Sequence, residues 1–145
     1  IIIAIFCLLI LPFALYAGGN TTISSFSKAK KLLQKKVYHD HRITFYCKCP
    51  YRKNKTIIKS DNFSPSTKHF KRSRKIEWEH VVPAENFGRI FSEWRDGHPE
   101  CIDNKGKSFK GRKCAEKINT EYRYMQSDMF NLYPAIGSVP VKTFS

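Results

Sequence analysis

The sequence predicts a single α+β domain in which helices and short antiparallel strands share one modest core. The predicted elements run in the order helix, strands, helix, loop and helix, without the strand–helix alternation of a parallel sheet. A chain of 145 residues is long enough for one domain. Its 14% aromatic and 41% hydrophobic content argue against disorder, and it contains no collagen, coiled-coil or solenoid repeat.

Residues 1–17, IIIAIFCLLILPFALYA, predict a secretory signal peptide that is cut near Ala17. The apolar run is shorter than the roughly 20 residues that a membrane-spanning helix needs. An uncleaved anchor is the alternative. The positively charged start of such a signal is missing, so we expect its N-terminus to be incomplete. Residues 18–145 would then form one exported domain.

Periodicity predicts a first helix over residues 25–37, which Ser25 would cap. Its apolar side chains fall on one helical face: Phe26, Ala29, Leu33 and Val37. Residues 42–49 alternate between apolar and polar side chains and predict a half-buried strand. A short strand at residues 56–58 follows.

Residues 75–82, KIEWEHVV, predict another strand, which Pro83 ends. Trp78 shares a face with Ile76 and is expected in the core. The remaining elements are a helix at residues 84–94, a Gly- and Lys-rich loop at residues 96–113, and a helix at residues 120–132 that Thr120 would cap and that ends before Pro134.

Four cysteines remain after removal of the signal: Cys47, Cys49, Cys101 and Cys114. An even number in an exported domain predicts two disulfides. Cys47 and Cys49 are close in sequence, so we expect each to pair with a more distant cysteine, which leaves two pairings open. A zinc site on Cys47-Lys48-Cys49 is the competing hypothesis, although no Cys-x-x-Cys pair follows to complete it.

The formal net charge of +14 predicts an acidic partner. Basic clusters flank the EWEH segment on both sides, and they include Arg72, Arg74, Lys75, Lys110 and Lys113. Such a surface binds phosphates without reading the base sequence. A solvated basic face, an anionic membrane surface and a heparin-like polymer are alternatives that charge alone leaves open.

Two segments carry residues suited to phosphodiester hydrolysis. Glu79 and the side-chain oxygen of Asn131 are hard ligands for a divalent cation, and Mg²⁺ fits because it takes few protein ligands. His80 titrates near neutral pH and could act as the base for an attacking water. On a regular strand Glu79 and His80 point to opposite faces, so we expect the strand to bend or end near Pro83.

Five motifs give the chain a family resemblance. EWEHVVPA at residues 77–84, NFG at 86–88, GRKC at 111–114 and SDMFNLYPAIGSV at 127–139 closely resemble the bacterial endonuclease I family, and FYCKC at 45–49 is similar to its aromatic-Cys-x-Cys strand. The resemblance implies a mixed α+β fold around a ββα-metal (His-Me finger) motif, with disulfides. It also implies cleavage of DNA, and often of RNA, with one divalent metal, usually magnesium, and 5′-phosphate products.

By this resemblance, His80 matches the general base, and Glu79 and Asn131 match the metal ligands. Arg112 matches the arginine that holds the phosphate beside the cleaved bond. Asp128 lies three residues before Asn131 and is expected to orient it, to hold a ligand water or to cap the helix. We expect a monomer in the periplasm or outside the cell, with DNA as its partner and no membrane contact after signal removal.

The chain departs from the family pattern at two places. Phe130 stands where the family usually carries His, and residues 140–145 do not resemble the Asn- and Arg-containing stretch that follows in the family. We therefore expect the C-terminal part of the domain to be missing. The alternative function is a cationic remnant that binds nucleic acid without cutting it, and salt-sensitive binding that does not need His80 would identify it.

Overall fold

The computed structural model describes residues 18–59, 63 and 67–138. The predicted signal peptide at residues 1–17 and the final residues from 139 onward lie outside these ranges. Within the described ranges, no helix is both long and apolar enough to cross a membrane.

Helices and strands of the described chain confirm the α+β class. Their bounds are α1 (Phe26–Leu32), α2 (Phe70–Ser73), β1 (Ile76–His80), α3 (Ala84–Gly88), α4 (Ser92–Arg95), α5 (Arg112–Ile118), α6 (Thr120–Gln126) and β2 (Leu132–Ile136). A π-helical turn, Leu33–Val37, continues α1, and a 3-10 turn, Met129–Asn131, leads into β2.

The two strands form an antiparallel pair that is central to the fold. Ile76 lies opposite Ile136, and the register continues to His80 opposite Leu132. One further rung is added beyond the strands, because the backbone N–H of Val81 donates to the carbonyl of Asn131 at 3.0 Å. The pairing therefore brings together two segments that lie about fifty residues apart in the sequence.

The first helix forms where it was predicted, and the Ser25 hydroxyl accepts from the Lys28 amide at its start. Its end differs from a regular α-helix, because the Tyr38 N–H reaches back five residues to the Leu33 carbonyl at 2.8 Å. The wider turn leaves Val37 exposed, against the prediction, and Tyr38 packs against the Trp78 ring instead.

The strand predicted at residues 42–49 is wrong. The segment closes a tight turn: the Thr44 N–H donates to the Cys49 carbonyl, and the Cys49 N–H donates to the Thr44 hydroxyl. Lys48, with a φ of 52°, makes the reversal inside the alternating pattern. The strand predicted at 56–58 is reduced to isolated bridges.

The second half of the chain contains more breaks than periodicity predicted. The helix predicted at residues 84–94 is split into α3 and α4, and a Cβ on Gly88 would lie 2.4 Å from the Trp94 ring. The end of the predicted loop at 96–113 begins α5, which we did not predict. The helix predicted at 120–132 ends at Gln126, and its residue Leu132 begins β2.

Asn119, rather than Thr120, caps α6, because the Asn119 side chain accepts from the Tyr122 N–H at 2.9 Å. The capping residue thus lies one position earlier than predicted.

Two apolar clusters form the core. The first packs α1 and the turn region against the β1–β2 pair, and it contains Ala29, Leu33, Cys49, Tyr51, Ile57, Ile76, Trp78, Leu132 and Ile136. Trp78 is buried there, as predicted. The second packs α3, α5 and α6 together, and it contains Ala84, Phe87, Phe91, Ala115 and Tyr122. β1 ends between the two clusters.

The cysteine pairing differs from the prediction. Cys101 is bonded to Cys114, because a loop closed by the Ile102–Ser108 bridge returns Cys101 to the first turn of α5. Neither Cys47 nor Cys49 pairs with those residues, and their Sγ atoms lie 3.2 Å apart within one turn.

Among the described residues, no three His, Cys, Asp or Glu side chains converge as a metal cluster.

The Cys101–Cys114 bridge should contribute measurably to stability. It closes a sequence separation of 13 residues, and a loop of that length is expected to contribute about 3 kcal/mol by restricting the unfolded chain. Replacing both cysteines with serine should lower the free energy of unfolding in denaturant by about 2–4 kcal/mol. The matched control, Cys47→Ser, should cost less than about 1 kcal/mol. Equal stability of the double variant and the native protein would contradict this assignment.

Candidate active site

The end of β1 places Glu79 and His80 at successive positions with different surroundings. The Glu79 backbone lies opposite Tyr133, and that of His80 lies opposite Leu132. Successive strand residues point to opposite faces, and the burial follows: Glu79 is exposed, whereas His80 is partly buried. The sequence predicted this opposition, and β1 does end at His80.

The His80 ring is held between aromatic side chains of both clusters. Phe26 of α1 stacks on it at 5.3 Å between ring centroids, and Phe87 of α3 contacts it at 5.6 Å. The Nε2 atom of His80 lies 2.9 Å from the backbone carbonyl of Gln126 at the end of α6. A carbonyl only accepts hydrogen bonds, so Nε2 carries the proton and the neutral ring has its lone pair on Nδ1.

The electrostatic environment favours the neutral form of this histidine. Burial lowers the pKa of His80 below its ordinary value, and the nearby positive charge of Arg112 lowers it further. The hydrogen bond to the Gln126 carbonyl raises the pKa of His80, but by less than burial lowers it. His80 is therefore an unprotonated base at neutral pH.

Asn131 ties the two segments together through its side-chain amide. Its Oδ1 accepts from the Val82 N–H at 2.7 Å, and its Nδ2 donates to the Val82 carbonyl at 3.1 Å. These reciprocal bonds fix the orientation of the amide. An amide oxygen has two lone pairs, so Oδ1 keeps one acceptor position after binding Val82.

Asp128 caps the short turn that carries Asn131. Its carboxylate accepts from the Phe130 N–H at 3.0 Å, and its backbone carbonyl accepts from the Asn131 N–H at 3.2 Å. Of the three roles considered for Asp128, the structure thus shows the cap. Phe130, at the position where the resemblance implies histidine, is 91% exposed and serves neither apolar cluster.

The donor set fits a hard cation. Among the described residues, Glu79 has no hydrogen bond or ion pair, which leaves its carboxylate available. Asn131 pairs with Val81, one position beyond the end of the two strands. Its side-chain oxygen is the second candidate ligand. Carboxylate and amide oxygens suit Mg²⁺, which retains several waters and accepts one or two protein ligands.

Arg112 begins α5 immediately after Gly111, whose φ of 78° favours glycine. The disulfide at Cys114 fixes this first turn. The positive charge of the Arg112 side chain is close enough to His80 to lower the pKa of its imidazole. The structure thus brings together Arg112 and His80, which lie 32 positions apart in the sequence.

The other predicted basic residues occupy different environments. Arg72 forms a bidentate pair with Glu77, at 2.8 and 2.6 Å, which lowers the pKa of that carboxyl. Arg74 lies over the Phe70 ring at 5.3 Å. The remaining basic side chains are exposed, and they are Lys75, Lys110 and Lys113. Arg72 is therefore committed to an internal partner, whereas the lysines are available to an anionic ligand.

Sequence reasoning missed three residues that build the site. Gln126 acts through its backbone carbonyl, which no residue pattern reveals. Tyr122 is buried, and its hydroxyl donates to the side chain of Gln126, a contact that the sequence analysis did not anticipate. Phe26 was assigned to a helix face, and only the folded chain shows that this face covers His80.

Comparison with known proteins identifies relatives of this chain. The sequence model of a family described as Endonuclease I matches residues 22–142. An extracellular deoxyribonuclease of Aeromonas hydrophila is 37% identical over 137 residues, which cover 92% of this chain and 52% of that protein. A periplasmic deoxyribonuclease of the same organism is 37% identical over 108 residues, covering 72% of this chain and 39% of that protein.

An Endonuclease-1 of Buchnera aphidicola subsp. Baizongia pistaciae (strain Bp) is 33% identical over 145 residues, covering 94% of this chain and 53% of that protein. The chain thus spans about half the length of these curated relatives or less. The family match covers every helix and strand that the structure describes, and with them the two aromatic rings that flank His80. The chain therefore belongs to the endonuclease I family.

Proposed function

We propose that this chain is a metal-dependent endonuclease that hydrolyses DNA without reading its sequence and leaves 5′-phosphate ends. The observation that carries the proposal is the environment of His80. Its ring is fixed through Nε2, its pKa is lowered by burial, and it directly follows an exposed carboxylate on β1. Family membership and the deoxyribonuclease names of the relatives support the same activity.

His80 would act as the general base. With Nε2 bound to the Gln126 carbonyl, Nδ1 is the atom available to take a proton from the attacking water. The two flanking aromatic rings hold the imidazole in one orientation. A ring that is already neutral at pH 7 accepts this proton without first losing another.

Glu79 and Asn131 would hold one divalent cation, with Mg²⁺ as the expected ion. When bound, such a cation supplies positive charge to the phosphate and the leaving oxygen. The Asn131–Val82 bonds orient the amide, and Asp128 keeps the turn before it closed. These contacts fix the distance between the ligand-bearing segments before substrate arrives.

Arg112 would bind the phosphate beside the cleaved bond. The positive charge of its guanidinium acts on His80 and would stabilise the negative charge that develops during the reaction. The exposed lysines on either side of it in the sequence, Lys110 and Lys113, would bind neighbouring phosphates. Arg74 and Lys75 extend the basic surface before β1.

We further propose that the protein is exported, in line with the extracellular and periplasmic names of its relatives. DNA is the expected substrate and RNA the expected second one. The proposed active form is a monomer.

A cationic module that binds without cutting is the second candidate. The reciprocal Asn131–Val82 bonds favour it, because they give Asn131 a purely structural role without any metal. The net charge of +14 would then explain binding on its own. The three measurements below separate the two candidates.

Chelation should abolish cleavage. Supercoiled plasmid should be nicked in the presence of Mg²⁺, and the nicking should stop when EDTA is in excess. Added Mg²⁺ should restore it, because a carboxylate and an amide supply no positive charge to the phosphate without the cation. Gel electrophoresis checks all three conditions with one preparation. Undiminished nicking after removal of divalent ions would contradict the metal proposal.

His80→Ala should reduce the rate of plasmid nicking at least 100-fold, because general-base catalysis typically contributes 10²–10⁴-fold. DNA affinity at fixed salt, measured by fluorescence anisotropy, should stay within about twofold, since lysine–phosphate contacts do not need the base. His41→Ala is the matched control, because His41 is exposed. If His80→Ala and His41→Ala cut equally well, His80 is not the base.

Substitutions at Asn131 separate a metal ligand from a backbone clamp. Asn131→Asp keeps an oxygen but loses the donor to the Val82 carbonyl, whereas Asn131→Ala loses both. If Asn131 holds the cation, the aspartate variant should keep a nicking rate at least about tenfold above that of the alanine variant. Equal rates in the two variants, with both folded by circular dichroism, would assign Asn131 to the clamp alone.

A further inference from the structure

An open cavity with aromatic side chains in its wall lies beside Asn131. Its volume is about 730 Å³, and Asn131 lines it together with Phe45, Phe130 and Tyr133. Tyr133 lies opposite Glu79 in the register of the strand pair, and opposite residues project from the same face of a sheet. The cavity is therefore next to both residues that would hold the cation, and no group of the proposed mechanism fills it.

Part of the wall is a pair of aromatic rings that the backbone holds in place. The Phe45 N–H donates to the Pro134 carbonyl at 2.8 Å, which docks the turn at residues 42–49 on β2. The centroids of the Phe45 and Tyr133 rings lie 4.6 Å apart, and Phe45 remains exposed. A pair of rings that is already in place can stack with a flat ligand at little cost in conformational entropy.

Phe130 adds a further aromatic ring to the lining. It is 91% exposed, although water is an unfavourable environment for a ring of this size. The Asp128 carboxylate holds its backbone by accepting from the Phe130 N–H at 3.0 Å. Val81 and Val82 also line the cavity, and both are exposed. A concave, largely apolar surface with a few polar groups is typical of a ligand site.

The charges around the cavity indicate which ligand fits. Glu121 and Asp128 belong to its lining, and carboxylates repel a phosphate but accept hydrogen bonds from N–H groups. Lys48 is exposed, and its Nζ lies 5.3 Å from the centroid of the Phe45 ring, where it can bind a phosphate outside the cavity. A second copy of this chain is disfavoured as the occupant, because the net charge of +14 opposes self-association. A flat, uncharged group with N–H donors and an attached phosphate matches this surface.

We propose that the cavity binds one unpaired base of a DNA strand by stacking, which places the phosphate attached to that base close to the proposed cation site. A base inside a duplex is covered on both faces by its neighbours, so the cavity selects strands that are single or locally opened. Every base has an aromatic face, and such stacking therefore does not read the sequence. This inference rests on the proposed function, because the cation site and the choice of DNA belong to it.

Binding measured in EDTA tests the cavity without any cleavage. The probes are a labelled oligothymidylate of about twelve nucleotides and a strand of equal length that carries no bases, so both present the same number of phosphates. Fluorescence anisotropy at fixed salt should show at least about tenfold tighter binding of the oligothymidylate, because stacking on aromatic side chains contributes about that factor per base. Equal affinity of the native protein for the two strands would overturn the proposal.

Phe130→Ala removes one ring of the cavity and keeps the backbone N–H that Asp128 binds. The variant should bind the oligothymidylate about tenfold more weakly, whereas its affinity for the base-free strand and for a hairpin duplex should stay within about twofold. Val37→Ala is the matched control, because Val37 is an exposed apolar residue outside the cavity, and it should leave all three affinities unchanged. An equal loss for all three probes in Phe130→Ala would overturn the proposal.

Two further outcomes are separable. Sedimentation velocity without DNA should show a monomer, and a dimer that Phe130→Ala dissociates would mean that a second copy covers the cavity, which overturns the proposal. If the protein cuts no plasmid but binds the strand with bases more tightly, the proposed function fails and the cavity assignment stands. If it cuts plasmid and binds both strands equally, the cavity assignment fails alone.

Discussion

The antiparallel pairing of β1 with β2 is the constraint on which the rest of the structure depends. It runs from Ile76 opposite Ile136 to His80 opposite Leu132, and the Val81–Asn131 backbone bond and the Asn131–Val82 side-chain bonds extend it. Because successive strand residues point to opposite faces, this register buries Trp78 in the core and exposes Glu79. A slip of one residue would exchange these environments and dismantle the site.

The position of His80 explains why both apolar clusters are needed. Phe26 belongs to the elements that pack on the sheet, and Phe87 belongs to the helical cluster, so the imidazole lies at the boundary between them. The carbonyl that receives its Nε2 proton comes from the end of α6, in the helical cluster. The basicity of His80 is therefore set by how the two halves of the core meet, rather than by any single neighbour.

The disulfide stabilises the part of the site that carries Arg112. It fixes the start of α5, where Arg112 stands two residues before Cys114. The positive charge of Arg112 lowers the pKa of His80 and so favours the neutral imidazole. The proposed site needs this neutral base next to a basic surface that binds DNA. A basic surface and a neutral base are thus compatible because burial and charge shift the histidine in the same direction.

The sequence was sufficient for those parts of the structure that depend on local patterns. The first helix, the strand at Ile76–His80 and the burial of Trp78 follow from periodicity. The false strand at 42–49 arose because a tight turn, closed by Thr44, also alternates apolar and polar residues. β2 was mistaken for the end of a helix, because the pairing that makes it a strand is about fifty residues away in sequence.

The site shows the same division between local and long-range information. Glu79, His80 and Asn131 were named from residue chemistry and from the resemblance to a family. The partners that define the environment of His80 were not, since the backbone carbonyl of Gln126 and the Phe26 and Phe87 rings reach it only when the helices pack. The Cys101–Cys114 pairing likewise required the loop closure at Ile102 and Ser108.

In the proposed active site, Glu79 and Asn131 hold one divalent cation beside a neutral His80. Titration of Mn²⁺ followed by electron paramagnetic resonance measures this occupancy without any need for cleavage. We predict one ion per chain, and an affinity at least about tenfold lower in Glu79→Gln, whereas Glu77→Gln should bind as the native protein does because Glu77 is already paired with Arg72. Equal affinity of the native protein and the Glu79→Gln variant would contradict the claim.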